Sequence, residues 1–82
     1  MITMNGVGVD LDSANMTGAN LSSSNLQSAR LTNSNLNNAT VNGVNFQGAN
    51  LSGATVNGLK FDENTIWPDG KKGSQGNPIS YT

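Results

Sequence analysis

The chain of 82 residues contains no cysteine and no histidine. Without cysteine no disulfide can staple the fold, and the redox state of the compartment is left open. The same two absences remove the commonest general base and the thiol nucleophile. Charge is scarce: 11% of residues carry one and the net charge is −1. No long-range field therefore draws the chain toward nucleic acid or an anionic membrane surface. Hydrophobic residues make up 34% and aromatics 5%, a thin core for a two-layer domain, since small domains bury a low fraction of their surface. The near-zero net charge argues against disorder, which usually combines low hydrophobicity with high net charge. No apolar run is long enough to span a membrane. The start, Met1-Ile2-Thr3-Met4-Asn5, has neither the basic flank nor the apolar stretch of a signal peptide. On this reading the protein is cytoplasmic if the chain is complete and extracellular if a leader has been removed.

What the chain does have is Asn, Ser, Thr, Gly and Ala, with Leu and Val at regular intervals. Written in fives, residues 9–63 read VDLDS, ANMTG, ANLSS, SNLQS, ARLTN, SNLNN, ATVNG, VNFQG, ANLSG, ATVNG, LKFDE, and NTIWP continues the register imperfectly. The central position holds Leu11, Met16, Leu21, Leu26, Leu31, Leu36, Val41, Phe46, Leu51, Val56, Phe61 and Ile66, all apolar. Two residues earlier the side chain is mostly tiny, as at Ala14, Ala19, Ser24, Ala29, Ser34, Ala39, Ala49 and Ala54. A period of five fits neither a helix nor a strand. Two inward positions around one outward residue make a short extended side, and the rest turn a corner. Gly18, Gly43, Gly48, Gly53, Gly58, Asn33 and Asn38 occupy those corners, residue types that tolerate turn conformations. One side cannot bury its Leu alone, so successive coils must stack into a shared core.

The spacing, the central Leu or Phe, the preceding Ala and the Asn pattern resemble the pentapeptide-repeat family over about three quarters of the chain. The resemblance implies an all-β fold, a right-handed four-sided parallel β-helix of about three coils with a short C-terminal cap and tail. On this expectation residues 1–6 are a lead-in, 7–66 the solenoid, and 67–82 the cap and polar tail. The residues themselves leave the number of sides open. Comparing residues 7–66 with themselves, a shift of fifteen gives 14 identities in 45 pairs and a shift of twenty gives 8 in 40. With four sides, Asn25 stacks on Asn45, Gln27 on Gln47 and Asn37 on Asn57, columns in which amides can hydrogen-bond from coil to coil.

No arrangement for catalysis, cofactor or metal is visible. Asp10, Asp12, Asp62, Glu63 and Asp69 repeat in no column, and two scattered carboxylates are too few for a calcium cage. Gly6-x-Gly8 lacks the rest of a phosphate loop and reads as a flexible lead-in. Some members of the family imitate DNA, which needs a strongly acidic surface; Arg30 is the single charged residue between Ser13 and Leu59, so that role and a nucleic-acid partner are set aside. Thr17, Thr32, Thr40, Thr55 and Thr65 fall in different columns, which opposes an ice-binding face. Trp67 reads as a lid over the open core, followed by Pro68, which ends strand pairing. Residues 71–82 have the composition of a tail or linker.

The ends of the coil are then the places to look for function. Each carries unpaired backbone and exposed core, and Val9, Asp10 and Asp12 at one end with Trp67, Lys71 and Lys72 at the other are the candidate contact residues. The leading expectation is a non-catalytic rod that associates head to tail with itself into an oligomer or filament. The alternative is a monomeric scaffold that binds another protein along a flat face, anchored by Trp67 or the tail.

Overall fold

A computed structural model describes residues 3–82 of the chain, so the first two residues of the expected lead-in lie outside the described residues. Backbone pairing sets the number of sides. From Asn5 to Lys60 every parallel bridge joins residues twenty apart: Asn5 with Asn25, Asp10 with Arg30, Asn15 with Asn35, Asn20 with Thr40, and so on up to Thr40 with Lys60. Twenty residues in units of five make four sides. The stronger fifteen-residue identity has no counterpart in the pairing. Side 1 carries Asn5, Asn25 and Asn45; side 2, Asp10, Arg30 and Asn50; side 3, Asn15, Asn35 and Thr55; side 4, Asn20, Thr40 and Lys60. Each side is so short that it contributes a bridge rather than a regular strand.

The local chemistry of one repeat explains the geometry. Around Leu11, its own N–H donates to the Arg30 carbonyl at 2.7 Å, Ser13 donates to Thr32 at 2.8 Å, and Arg30 donates back to Val9 at 2.8 Å. The corner is closed by the Ala14 N–H on the Leu11 carbonyl at 3.1 Å. The third residue of that turn has positive φ: 60° at Ser13, 71° at Gly18, 60° at Asn33 and 73° at Gly53. Asp12, before Ser13, is not among the positive-φ residues, which is the type II arrangement. Glycine and asparagine suit that position. Serine at Ser13, Ser23 and Ser28 does so less well.

Asparagine immediately before the central residue has a second local task. Its side-chain oxygen accepts the backbone N–H two residues on, as in Thr17 to Asn15 at 3.2 Å, Gln27 to Asn25 at 3.1 Å and Gln47 to Asn45 at 3.0 Å. These are Asx turns that stiffen the corners where an Asn stands in that place. The expected amide ladder is mostly replaced by them. Among the described residues, coil-to-coil bonds from these columns are Asn57 N–H on Asn37 at 2.9 Å and Thr55 hydroxyl on Asn35 at 3.2 Å.

Inside, two residues per side meet neighbours above and below. Leu26, Leu31, Val41, Val44 and Phe46 are fully buried, with Leu21, Leu36 and Leu51 nearly so. Leu11 and Met16 in the first coil, and Val56 and Phe61 in the last, are half-buried against this core. The expected lead-in is part of the coil. Asn5 pairs with Asn25, the Gly6 N–H donates to Asn25 at 2.7 Å, and Gly6 is buried. Gly6 takes the central position of side 1, where a Cβ would lie 2.9 Å from Leu26 Cδ2 and 3.1 Å from Met4 Sδ. Met4 packs against the core from the small position beside it.

The structure departs from the sequence reading at Ile66. Side 1 closes with Asn45 paired to Ile66, twenty-one residues on. The corner after Phe61 holds one extra residue, fastened by Asp62, whose carboxylate accepts the N–H of Gly43 at 2.9 Å and of Asn64 at 3.0 Å. Thr65 therefore takes the buried small position, and its hydroxyl donates to the Val41 carbonyl at 2.8 Å. Ile66 turns to the outward, bridging position and is half-buried. Trp67 becomes the central residue.

The Cα trace measures 26 × 24 × 24 Å along its principal axes, a block rather than a rod. Among the described residues no helix is long and apolar enough to cross a membrane.

Candidate interaction surfaces at the two ends

The C-terminal end is built around Trp67. All four aromatic residues of the chain gather there. Phe46 stacks beneath the indole with centroids 5.9 Å apart, Phe61 meets it edge-on at 5.1 Å, and Tyr81 stacks on it at 5.9 Å. Pairs of this geometry add stabilisation beyond the area they bury. The indole N–H donates to the Gly73 carbonyl at 2.8 Å, which satisfies the one polar atom that burial would otherwise strand. Trp67 is 0% exposed. With residues 71–82 in place, its ring offers no exposed surface.

What covers it is the stretch expected to be a tail. Lys72 pairs antiparallel with Ile66, the Lys71 carbonyl accepts the Trp67 N–H at 2.8 Å, and the Gly73 N–H donates to Thr65 at 2.8 Å. Two short 3₁₀ turns follow, Gly73–Gln75 and Pro78–Tyr81, the second capped by the Asn77 side chain on the Ile79 N–H. Gly76 lies flat against the indole, where a Cβ would come within 2.9 Å of Cγ and Nε1. The Tyr81 hydroxyl then donates to Asp69 Oδ1 at 2.8 Å. This pairing moves both acids apart. Desolvation, the hydrogen bond to Asp69 and its negative charge push the Tyr81 phenol up to about 12. Desolvation raises Asp69, but the Lys71 N–H, the Tyr81 hydroxyl and the Lys71 charge outweigh it, and the carboxyl sits below its ordinary value.

Sides 2, 3 and 4 of this end are uncovered. The N–H groups of Leu51, Gly53, Val56, Gly58 and Phe61 and the carbonyls of Ala49, Ala54 and Leu59 have no backbone partner among the described residues. One coil lower their counterparts all do. The N-terminal end presents the complementary set: N–H and carbonyl of Asn5, Asp10 and Asn15, and the carbonyls of Val7 and Asp12, none of them paired with backbone among the described residues. Half-buried Met4, Val9, Leu11 and Met16 lie just inside that edge. Val7 and Ile79 are the large apolar side chains left exposed among the described residues.

The charged candidates are largely engaged within the chain. Asp12 pairs with Arg30 at 2.6 Å and also accepts the Thr32 N–H at 2.9 Å. Asp10 accepts the Asp12 N–H at 3.0 Å. Lys71 lies 3.9 Å from Asp69, while Lys72 is exposed. The sequence places these groups at the two ends, but their partners are the next coil for Asp12, its own turn for Asp10 and the cap for Lys71. Sequence reasoning missed Tyr81, Asp69 and Gly76, because the contact that unites them has no periodicity.

The family model for pentapeptide repeats matches in 8 copies, over residues 7–43 and 29–63. No curated protein matches the chain. Among solved structures, a pentapeptide repeat protein, Rfr23, from the cyanobacterium Cyanothece 51142 is similar, with 41% identity and a TM-score of 0.70 over 71% of this chain and 40% of that one. HetL, a pentapeptide repeat protein involved in heterocyst differentiation regulation from the cyanobacterium Nostoc sp. strain PCC 7120, has 35% identity and a TM-score of 0.72 over 77% of this chain and 30% of that one. The chain spans less than half the length of either.

Proposed function

Because the chain belongs to the pentapeptide-repeat family, whose fold is a right-handed quadrilateral β-helix, we propose that it is a non-catalytic structural module of about three coils that associates end to end with further copies of itself. The observation that carries this reading is the match between two unpaired edges: the N–H and carbonyl groups left free above residues 49–61 are the complement of those left free below residues 5–15. Open sheet edges are normally blunted by charge, proline or cover. Here cover is confined to side 1. An end face about 24 Å across gives roughly 600 Å² per partner, at the lower bound of specific interfaces, so the association is weak and concentration-dependent.

Asp12 and Lys71 already have partners within the chain, which favours a contact made through the backbone edges over one made through these two charges. For the alternative, a monomeric scaffold binding a protein along a flat face through Trp67 or the tail, the burial of the indole speaks against Trp67 and leaves the tail as anchor. Light scattering across a concentration series tests the proposal. Mass rising with concentration supports it; a particle that stays at 8.5 kDa at millimolar concentration sinks it.

A further inference from the structure

We infer that the incoming copy docks one side out of register, and that residues 71–82 compete with it for the same edge. The inference rests on the end-to-end reading and adds to it where the second copy sits and what holds it off.

The register follows from where the chain stops climbing. A solenoid is a ramp: each side lies on the side twenty residues earlier, and the ramp ends on side 1, with Ile66 on Asn45 and Trp67 on Phe46. The next vacant step is side 2. The first described coil of an incoming copy opens on side 1 with Asn5, so it continues the ramp only if rotated by one side. That places Asn5 of the second copy on Asn50, Asp10 on Thr55 and Asn15 on Lys60. The free groups then match as they do within the coil. The Leu51, Val56 and Phe61 N–H groups meet the Asn5, Asp10 and Asn15 carbonyls, and the N–H groups of those three return to Ala49, Ala54 and Leu59. No like charges are opposed. The unrotated register, with Asp10 on Asn50, Asn15 on Thr55 and Asn20 on Lys60, puts Asn5 of the second copy over Asn45, a place Ile66 of the coil itself already fills.

The fourth side brings the tail into the equilibrium. In the rotated register Asn20 of the second copy arrives over Ile66, and its Leu21 over Trp67. Those are the places taken by Lys72 and Tyr81. The tail and the incoming side cannot both be there, so docking lifts the tail, and whatever loosens the tail favours docking. Its outermost fastening is the Tyr81 ring on Trp67 and the Tyr81 hydroxyl on Asp69.

The absence of native cysteine makes the register readable by disulfide trapping in the full chain. The pair Asn15→Cys with Lys60→Cys reports the rotated register, and Asn20→Cys with Lys60→Cys reports the unrotated one. Within one chain Asn20 and Lys60 lie on the same side two coil spacings apart, about 10 Å, too far to bridge. The first pair is expected to give covalent dimers under mild oxidation, and the second none. Adding Tyr81→Ala is expected to raise the dimer yield roughly five- to tenfold, the factor that goes with losing one aromatic stack; Asp69→Ala raises it less and checks the same latch without touching the ring. Dimers through the Asn20 pair overturn the register while leaving end-to-end association standing. Dimers through the Asn15 pair that ignore both latch variants overturn the competition. Unlinked protein that stays monomeric in light scattering overturns the association itself.

Discussion

The indole of Trp67 lies over the ring of Phe46 with their planes within 2° of parallel, although twenty-one residues separate them rather than twenty. The extra residue in the Asp62–Asn64 corner makes this stack possible, because it turns Ile66 outward and Trp67 inward. Trp67 is thus the keystone of the C-terminal end, touching Phe46, Phe61 and Tyr81 at once. Trp67→Ala is expected to cost about 3–5 kcal/mol, the usual range for emptying a large aromatic site. A small domain has little more than that to lose. Denaturant unfolding checks it: a loss under about 1 kcal/mol would show that the ring is peripheral. Trp67→Phe keeps the stack and is expected to lose much less.

The same residue marks where the sequence stops being legible. The five-residue period exposes the core because each repeat writes one apolar and one small inward residue, and the corners announce themselves through Gly and Asn. Ile66 and Trp67 are both apolar, so period alone selects the residue in step, and only the three-dimensional fit of an indole over Phe46 selects the other. Thr65 is the signal that was available, being the first small residue after Leu59. At the other end, Gly6 hid the first repeat by lacking the apolar side chain that defines a central position. The tail was opaque for a different reason: Tyr81 reaches Trp67 and Asp69 across more than ten residues of aperiodic chain, and such contacts leave no local pattern.

Corner residues should divide by type. Ser13, Ser23 and Ser28 hold φ near 60°, a conformation that costs an L-residue roughly 1 kcal/mol. Replacing Ser23 or Ser28 by Asn, which visits that region readily, is expected to stabilise by a few tenths to about 1 kcal/mol. Gly58→Ala goes the other way. It adds the same backbone strain and drives its Cβ into the Asn38 side-chain oxygen of the coil below, for a loss of about 1–2 kcal/mol. Thermal melts of the single variants test both signs; a destabilised Ser23→Asn would refute the turn assignment.

Ser34 offers a gain from inside the core. It is 1% exposed, and its hydroxyl is the one buried side-chain polar atom without a hydrogen-bond partner among the described residues. The positions above and below it in the column are Ala14 and Ala54, so a methyl group fits. A buried unmet hydroxyl costs about 1–3 kcal/mol. Ser34→Ala is expected to raise Tm by several degrees, since about 1 kcal/mol shifts a domain of this size by 4–8 °C. Ser24→Ala supplies the contrast, because its oxygen accepts the Met4 N–H at 3.0 Å, and the midpoint should fall. Equal shifts in the two variants would mean that the hydroxyls are not distinguished by their bonding.

The tail should come loose at alkaline pH, and Tyr81 sets the window. Its folded value of about 12 lies above the ordinary phenol value of about 10. Its contribution is therefore complete below about 10 and is lost as pH rises through about 12, when the phenolate forms against the Asp69 carboxylate. Asp69 works in the opposite direction. Its folded value is lowered, so its share is present above the ordinary carboxylate range and disappears as pH falls through that lowered value. Between these limits the latch is closed. Phenolate absorbance during titration reports Tyr81 directly, as it is the single tyrosine. The native midpoint should sit near 12, and Asp69→Ala should move it part of the way back toward 10, the remainder being held up by desolvation against the indole. A native midpoint at 10 would place Tyr81 in free solvent, and the cap over Trp67 would have to be redrawn.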